Sequence, residues 1–280
     1  MEKTVQIIIP VYNAAKTLPK CLDSLLAQTF TGWEAVLVDD ASPDNSAEII
    51  KASAEKDARF TYIRNPENGG ASKARNRGLA ALDAEYVAFL DADDWWEPEM
   101  LQTLYRQAKE TDADVVQCRF IYDFPDGQTV LPRGTFKKNV FLEGRALRRV
   151  YLRMMTGINM NHVCMKLIRR EVIEGLLFDT TLPTAEDLEF SVHMFKKVRR
   201  YCFVTDVLYH YCRFETSLTG RGLPFSVRLS ANRRVARVML SALPAFSVNT
   251  PWYRFLTKMR PYIIIVSKIF RILREKCIRR

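Results

Sequence analysis

Residues 5–11, 34–38, 60–64 and 86–90 form short runs rich in Val, Ile, Leu, Phe and Tyr, and a stretch with helical spacing follows each one. The helical stretches cover about 18–27, 46–56, 71–81 and 97–109, and a fifth apolar run follows at 114–121. β-Branched and aromatic runs of this length read as buried strands. Their alternation with helices restricts the first 120 residues to an α/β fold, a mostly parallel sheet with right-handed crossovers and flanking helices. In open sheets of this kind ligands bind beyond the carboxyl ends of the strands. The residues that follow each run are therefore the first place to look for function.

Acids crowd those positions. Asp91-Ala92-Asp93-Asp94 closes the run 86–90, and Asp39-Asp40 closes 34–38 ahead of Ala41-Ser42-Pro43-Asp44-Asn45-Ser46. Carboxylates gathered at one edge repel one another unless a cation lies between them. All-oxygen ligands suit Mg²⁺ or Mn²⁺ shared with a substrate diphosphate. A plainer reading has Asp94 capping a helix that opens at Trp95-Trp96-Glu97-Pro98, which leaves Asp91 and Asp93 unexplained. Asp40, with Asp39 beside it, can accept from a ribose hydroxyl or a pyrimidine N3–H, although Ser-Pro-Asp-Asn-Ser is also good turn material and Ser46 a good N-cap. Asn68-Gly69-Gly70 before a helix lets backbone approach an anion. It is neither a Walker loop nor a dinucleotide fingerprint, and Arg75 and Arg77 could equally face solvent. Glu186-Asp187 opens a later helix, where the helix dipole favours acids in any case.

Taken in order, Pro10-Val11-Tyr12-Asn13, Val38-Asp39-Asp40-x-Ser42-x-Asp44-x-Ser46, Asn68-x-Gly70-x-x-x-Ala74-Arg75-Asn76-x-Gly78, Asp91-Ala92-Asp93-Asp94 and Glu186-Asp187 resemble family 2 glycosyltransferases over about residues 4–219. The resemblance implies a GT-A type fold with a Rossmann-like nucleotide-binding half, and inverting transfer from a nucleotide sugar, most simply a UDP-sugar, in cell-surface polysaccharide synthesis. Pro10, Tyr12, Asp39 and Asp40 would line the nucleoside pocket, with Arg75 near the nucleotide and Asp91 on the ribose. Asp93 would hold Mn²⁺ or Mg²⁺, with His210 as a further ligand to consider. Asp187 would be the base, supported by Glu186. The acceptor would be a glycan or a lipid-linked hydroxyl. Cys212 departs from the family's pattern in Tyr209-His210-Tyr211-Cys212-Arg213.

Residues 1–120 read as the nucleotide-sugar half, 121–220 as the acceptor half and 221–280 as a helical, basic extension. Further along, a short strand is expected at 128–131, helices near 142–155, 169–174 and 185–197, and a strand at 207–212. Charge sets the extension apart. Residues 221–280 hold 14 Lys/Arg against Glu275 alone, whereas the first 220 hold 28 Lys/Arg and 31 Asp/Glu. Trp252, Leu256, Met259, Ile263, Val266, Phe270 and Leu273 recur at helical spacing with bases opposite, and Pro261 is expected to divide the helix. An amphipathic cationic helix suits an anionic membrane surface, with Trp252, Phe255, Lys258, Ile263, Lys268 and Arg271 as contacts. Nucleic acid is not the expected partner, because the charge is confined to the tail and its aromatics are not interleaved with its bases. Six scattered cysteines without a Cys-x-x-Cys pair point to a reducing compartment. No run approaches a membrane span. The expected location is the inner face of the membrane. Two further readings stay open at this point: a catalytically degenerate nucleotide-sugar-binding partner protein and a sugar-nucleotide pyrophosphorylase.

Overall fold

The computed structural model describes residues 4–132, 135–156, 159–213 and 223–262. Strands β1 (Val5–Val11), β2 (Trp33–Asp39), β3 (Phe60–Arg64) and β4 (Tyr86–Phe89) are parallel neighbours in the order β3-β2-β1-β4. Helices α1 (Leu18–Leu26), α2 (Ser46–Lys56) and α3 (Ala71–Ala80) make the crossovers. Every residue of β4 is buried, as are all but Pro10 in β1 and all but Glu34 in β2. Buried strands of this kind carry no alternating polar face.

Helix α3 lies against β1 and β2. At Gly78 an added Cβ would stand 2.4 Å from Ile8 Cγ2, so only glycine lets the helix approach the strand this closely. Arg75, one turn earlier, reaches the end of the sheet because of that approach.

The second half departs from the parallel pattern. Element β5 (Trp95–Trp96) precedes α4 (Met100–Thr111) and β6 (Val115–Asp123). There follow β7 (Thr129–Val130), β8 (Val140–Glu143), a 3-10 turn (Gly144–Leu147), α5 (Arg148–Thr156), β9 (Lys166–Arg169), α6 (Arg170–Ile173), α7 (Glu186–Phe195), β10 (Arg200–Cys212) and α8 (Phe225–Ala242). The ten-stranded sheet runs β3-β2-β1-β4-β9-β6-β10-β5, with β7 on β6 and β8 on β10. Strand β9 is antiparallel to both β4 and β6, which makes the sheet mixed.

Two sequence expectations are corrected here, and one strand is added. The helix expected near 169–174 is present as the short α6, and the strand before it, β9, is the addition. Lys166 begins that strand fully buried, its ammonium donating to the carbonyls of Met160 and His162. A lysine masks strand character in sequence, yet these acceptors satisfy it in the interior. Trp95-Trp96, expected to open a helix, pairs antiparallel with Tyr209 and His210. The helix at 142–155 begins only at Arg148, after β8 pairs with β10.

The part of the C-terminal region that is described packs on the rest. Ala231, Val235, Met239 and Ala242 of α8, with Leu243, Phe246 and Val248, belong to the same hydrophobic core as the sheet. The chain is helical again over 251–262, running through Pro261 without a break. Among the described residues no helix is long and apolar enough to cross a membrane.

Candidate active site

The ends of β1 and β2 are tied together by the motif residues themselves. Backbone N–H groups of Asn13, Ala14 and Ala15 donate to Ser42 Oγ (3.2 Å), Ser46 Oγ (3.0 Å) and Asp44 Oδ2 (2.9 Å). Ser42-Pro43-Asp44-Asn45-Ser46 is thus a clasp for the loop after β1. Ser46 has no capping bond to α2, and Asn45 occupies the cap position.

Asp39 is fully buried and accepts from the Ser42 N–H (2.9 Å) and the Tyr62 hydroxyl (3.3 Å), with Arg64 at 3.5 Å. Asp40 accepts from Asn65 Nδ2 (2.7 Å) and from the N–H groups of Gly69 (2.9 Å) and Gly70 (2.6 Å). It therefore shapes the loop that leads into α3, where Gly70 has φ +84. Tyr12 is half exposed at the rim, beside Pro10.

Arg75 is the hub. Buried on α3, its Nη2 bonds Asp91 Oδ1 at 2.7 Å and its Nη1 meets Asp187 Oδ1 at 3.3 Å. The guanidinium lies over Phe178, 5.4 Å from the ring centre. Burial disfavours its charge, but Asp91 and Asp187 more than offset that and hold it firmly protonated. Glu186, next to the base candidate, has its carboxyl pushed up by burial and by the Asp187 charge.

The three acids at 91–94 behave differently. Asp94 is buried and accepts from the Tyr209 hydroxyl and from the Cys212 N–H (2.8 Å). It anchors the end of β10 and does not cap a helix, contrary to the plainer sequence reading. Cys212, the departure from the family's pattern, takes part here through its backbone. Asp91 bonds Arg75 and receives the Cys164 thiol at 3.6 Å. Asp93 accepts no hydrogen bond from another described side chain, and burial followed by the Asp91 charge raises its pKa to about 6. A partly buried carboxyl that no other side chain donates to, beside a second carboxylate, fits a ligand for Mg²⁺ or Mn²⁺ that shares its shell with a diphosphate. No three His, Cys, Asp or Glu side chains among the described residues are gathered as a metal set.

His210 does not fit the metal shell. Its Nδ1 is 2.9 Å from Asp123 Oδ2 and its Nε2 is 2.8 Å from Glu97 Oε1, so both nitrogens are engaged. Its ring stacks on Trp95 at 3.5 Å, and Trp95 donates to Asp123. This is a structural clamp between β5, β6 and β10.

Sequence reasoning assigned no role to Asn76 or Phe178. Asn76 Oδ1 accepts from the Phe178 N–H (2.7 Å) and its Nδ2 donates to the Phe178 carbonyl (2.9 Å). Phe178 in turn stacks on Phe190 of α7, with ring centres 4.0 Å apart. The segment leading into α7, the helix that carries Asp187, is so fixed to α3 one residue from Arg75. Ala185, just before the acids, holds φ 68, an uncommon conformation for a residue with a Cβ.

Of the membrane contacts expected, Ile263, Lys268 and Arg271 lie outside the described residues. Trp252 (63% exposed) and Phe255 (54%) are on the surface with Lys258, and Met259 and Tyr262 join them. The expected single apolar stripe is not what the helix presents. Thr257 and Arg260 face the interior, where Thr257 meets the Tyr151 hydroxyl and Arg260 meets the Met154 carbonyl.

Fold and site together define an α/β architecture with acids gathered at the strand ends. The family model "Glycosyl transferase family 2" matches residues 6–177, and the chain belongs to that family. It is 35% identical over 217 residues to the glycosyltransferase EpsJ of Bacillus subtilis, a match spanning 77% of this chain and 62% of EpsJ. The fold is similar to Staphylococcus aureus TarS 1–349 solved with UDP, at TM-score 0.69 and 21% identity over 92% of this chain and 69% of that one. It is also similar to a mannosyltransferase of Pyrobaculum calidifontis solved with GDP-Man and Mn²⁺, at TM-score 0.58 and 16% identity over 98% of this chain and 81% of the other.

Proposed function

We propose that this chain transfers a sugar from a nucleoside diphosphate donor, a UDP-sugar, to a hydroxyl of a glycan or lipid-linked acceptor in cell-surface polysaccharide synthesis. The observation that carries this reading is the convergence on Arg75 of Asp91 from the end of β4 and Asp187 from the start of α7. A carboxylate for the donor's ribose and a separate carboxylate as base for the acceptor hydroxyl are what this transfer requires. The TarS complex with UDP supports a uridine donor in the same fold.

In the reaction the acceptor oxygen attacks the anomeric carbon from the face opposite the diphosphate. Its proton passes to the Asp187 carboxylate, and the bond from the anomeric carbon to the diphosphate oxygen breaks with its electron pair, leaving UDP and inverted stereochemistry. Arg75, permanently charged and bound to Asp91, would offset negative charge growing on the leaving group. Asp93 would hold Mn²⁺ or Mg²⁺, which when bound supplies Lewis-acid stabilisation to that group. Asp39 and Asp40 shape the nucleoside side, and Pro10 and Tyr12 provide its rim. The exposed Trp252, Phe255 and Lys258 suit peripheral contact with the inner face of an anionic membrane.

The test is calorimetric binding of UDP with and without Mn²⁺, using wild type and Asp93→Ala. Metal-dependent binding that disappears in the variant is expected. Failure of wild type to bind UDP, GDP or dTDP would leave a degenerate partner protein as the better reading.

A further inference from the structure

Helix α8 carries Arg228, Arg233, Arg234 and Arg237 among its 18 residues and no acid. Its buried side, Ala231, Val235, Ala236, Met239 and Ala242, is spent on the core. Arg233 and Arg237 stand one turn apart on the opposite face, which also exposes Ser226, Ser230 and Ser241. No carboxylate among the described residues pairs with either arginine. Arg233 donates to the neutral Tyr262 hydroxyl at 2.6 Å and lies over that ring. Arg234, beside them, is bound by Asp179 and by Thr181 at 2.7 Å.

These bonds join three surfaces in a row. Tyr262 belongs to the exposed aromatic face that includes Trp252 and Phe255. The unpaired arginines come next. Arg234 then ties α8 to the segment entering α7, the helix that opens with Glu186 and Asp187 and packs on α8. An amphiphile with a hydrocarbon chain, a phosphate or diphosphate, and a sugar hydroxyl presents three matching parts in the same order. Guanidinium groups with neighbouring hydroxyls are suited to successive phosphate oxygens.

We propose that the Arg233–Arg237 stripe binds the phosphate groups of a lipid-linked acceptor. This deepens the glycosyltransfer reading and rests on it. General attraction to anionic lipid would need no connection to the segment leading into the helix that carries the base.

The experiment is flotation of the full chain with three kinds of vesicle: phosphatidylcholine alone, phosphatidylcholine with phosphatidylglycerol, and phosphatidylcholine with a polyprenyl diphosphate at matched surface charge. Preference for the diphosphate vesicles is expected. R233Q/R237Q should abolish that preference, weakening binding about fivefold for each arginine removed. W252S/F255S should weaken binding to all three. Equal binding of wild type to the two anionic vesicles overturns the proposal and reduces the stripe to general lipid contact. Tight binding of inorganic pyrophosphate without vesicles, lost in R233Q/R237Q, also overturns it in favour of a soluble phosphate ligand. UDP calorimetry on the same samples separates the two levels. Retained UDP binding in R233Q/R237Q shows an intact fold and nucleotide site, whereas a wild type that binds no nucleotide removes the underlying reading itself.

Discussion

Arg75 Nη1 lies 3.3 Å from Asp187 Oδ1, although 112 residues separate the two in the chain. The same guanidinium holds Asp91. One buried cation therefore connects the proposed donor side of the site to the proposed base.

Asp187→Asn keeps the shape of the side chain and removes its capacity to take a proton. Transfer is expected to fall by about 10²–10⁴-fold, the range typical of a general base, with UDP affinity within a few-fold of wild type. The checks are initial rates and calorimetry on one preparation. A variant that turns over at the wild-type rate removes Asp187 from the mechanism.

Arg75→Met leaves Asp91 and Asp187 facing each other without their shared cation. Breaking a buried pair from one side costs about 3 kcal/mol, towards the low end here because both carboxylates keep some solvent contact. Urea unfolding measures that loss, and nucleotide affinity should fall with it. Arg75→Lys should restore charge but not activity, since an ammonium cannot bridge both acids in the planar geometry that the guanidinium provides.

Asn76→Ala strips the partners from the buried-side N–H and carbonyl of Phe178. Unsatisfied groups of this sort cost about 1–3 kcal/mol. The segment leading into the helix that carries Asp187 loosens, so kcat should drop more than donor affinity does. Unchanged kcat alongside reduced stability would make Asn76 purely structural.

Asp93 predicts a pH dependence. Its pKa is raised to about 6, by burial first and then by Asp91. A proton must leave before a cation can bind, so Mn²⁺-dependent UDP affinity should climb with pH up to about 6 and level off above it. For the metal-free fold the sign is the reverse. A carboxyl with a raised folded pKa costs stability once ionised, so stability from this group declines from about pH 4 to about pH 6. Asp93→Asn should lack both trends, and calorimetry and denaturation across that range would show it.

The parallel half was legible because its signals are local. Strands β1 to β4 are runs rich in apolar residues, and the acids that follow β2 and β4 stand at one edge by topology alone. Lys166 was passed over and Trp95-Trp96 misread because their strand pairing depends on distant partners: β4 and β6 on either side of β9, and the β10 residues that pair with the tryptophans. Asp94 and His210 carried the same residue types as ligands. Their hydrogen bonds to β10, to Asp123 and to Glu97 make them structural.

By itself the sequence determined the alternating architecture, the acidic strand ends and the division between a near-neutral body and a basic tail, all properties of pattern and composition over short windows. Only the tertiary structure decided which acids are saturated and which are free, that Arg75 joins Asp91 to Asp187, and that Trp252 and Phe255 face outward while Arg260 is buried. Those outcomes depend on which groups long-range packing brings within hydrogen-bonding distance, and no local spacing records that.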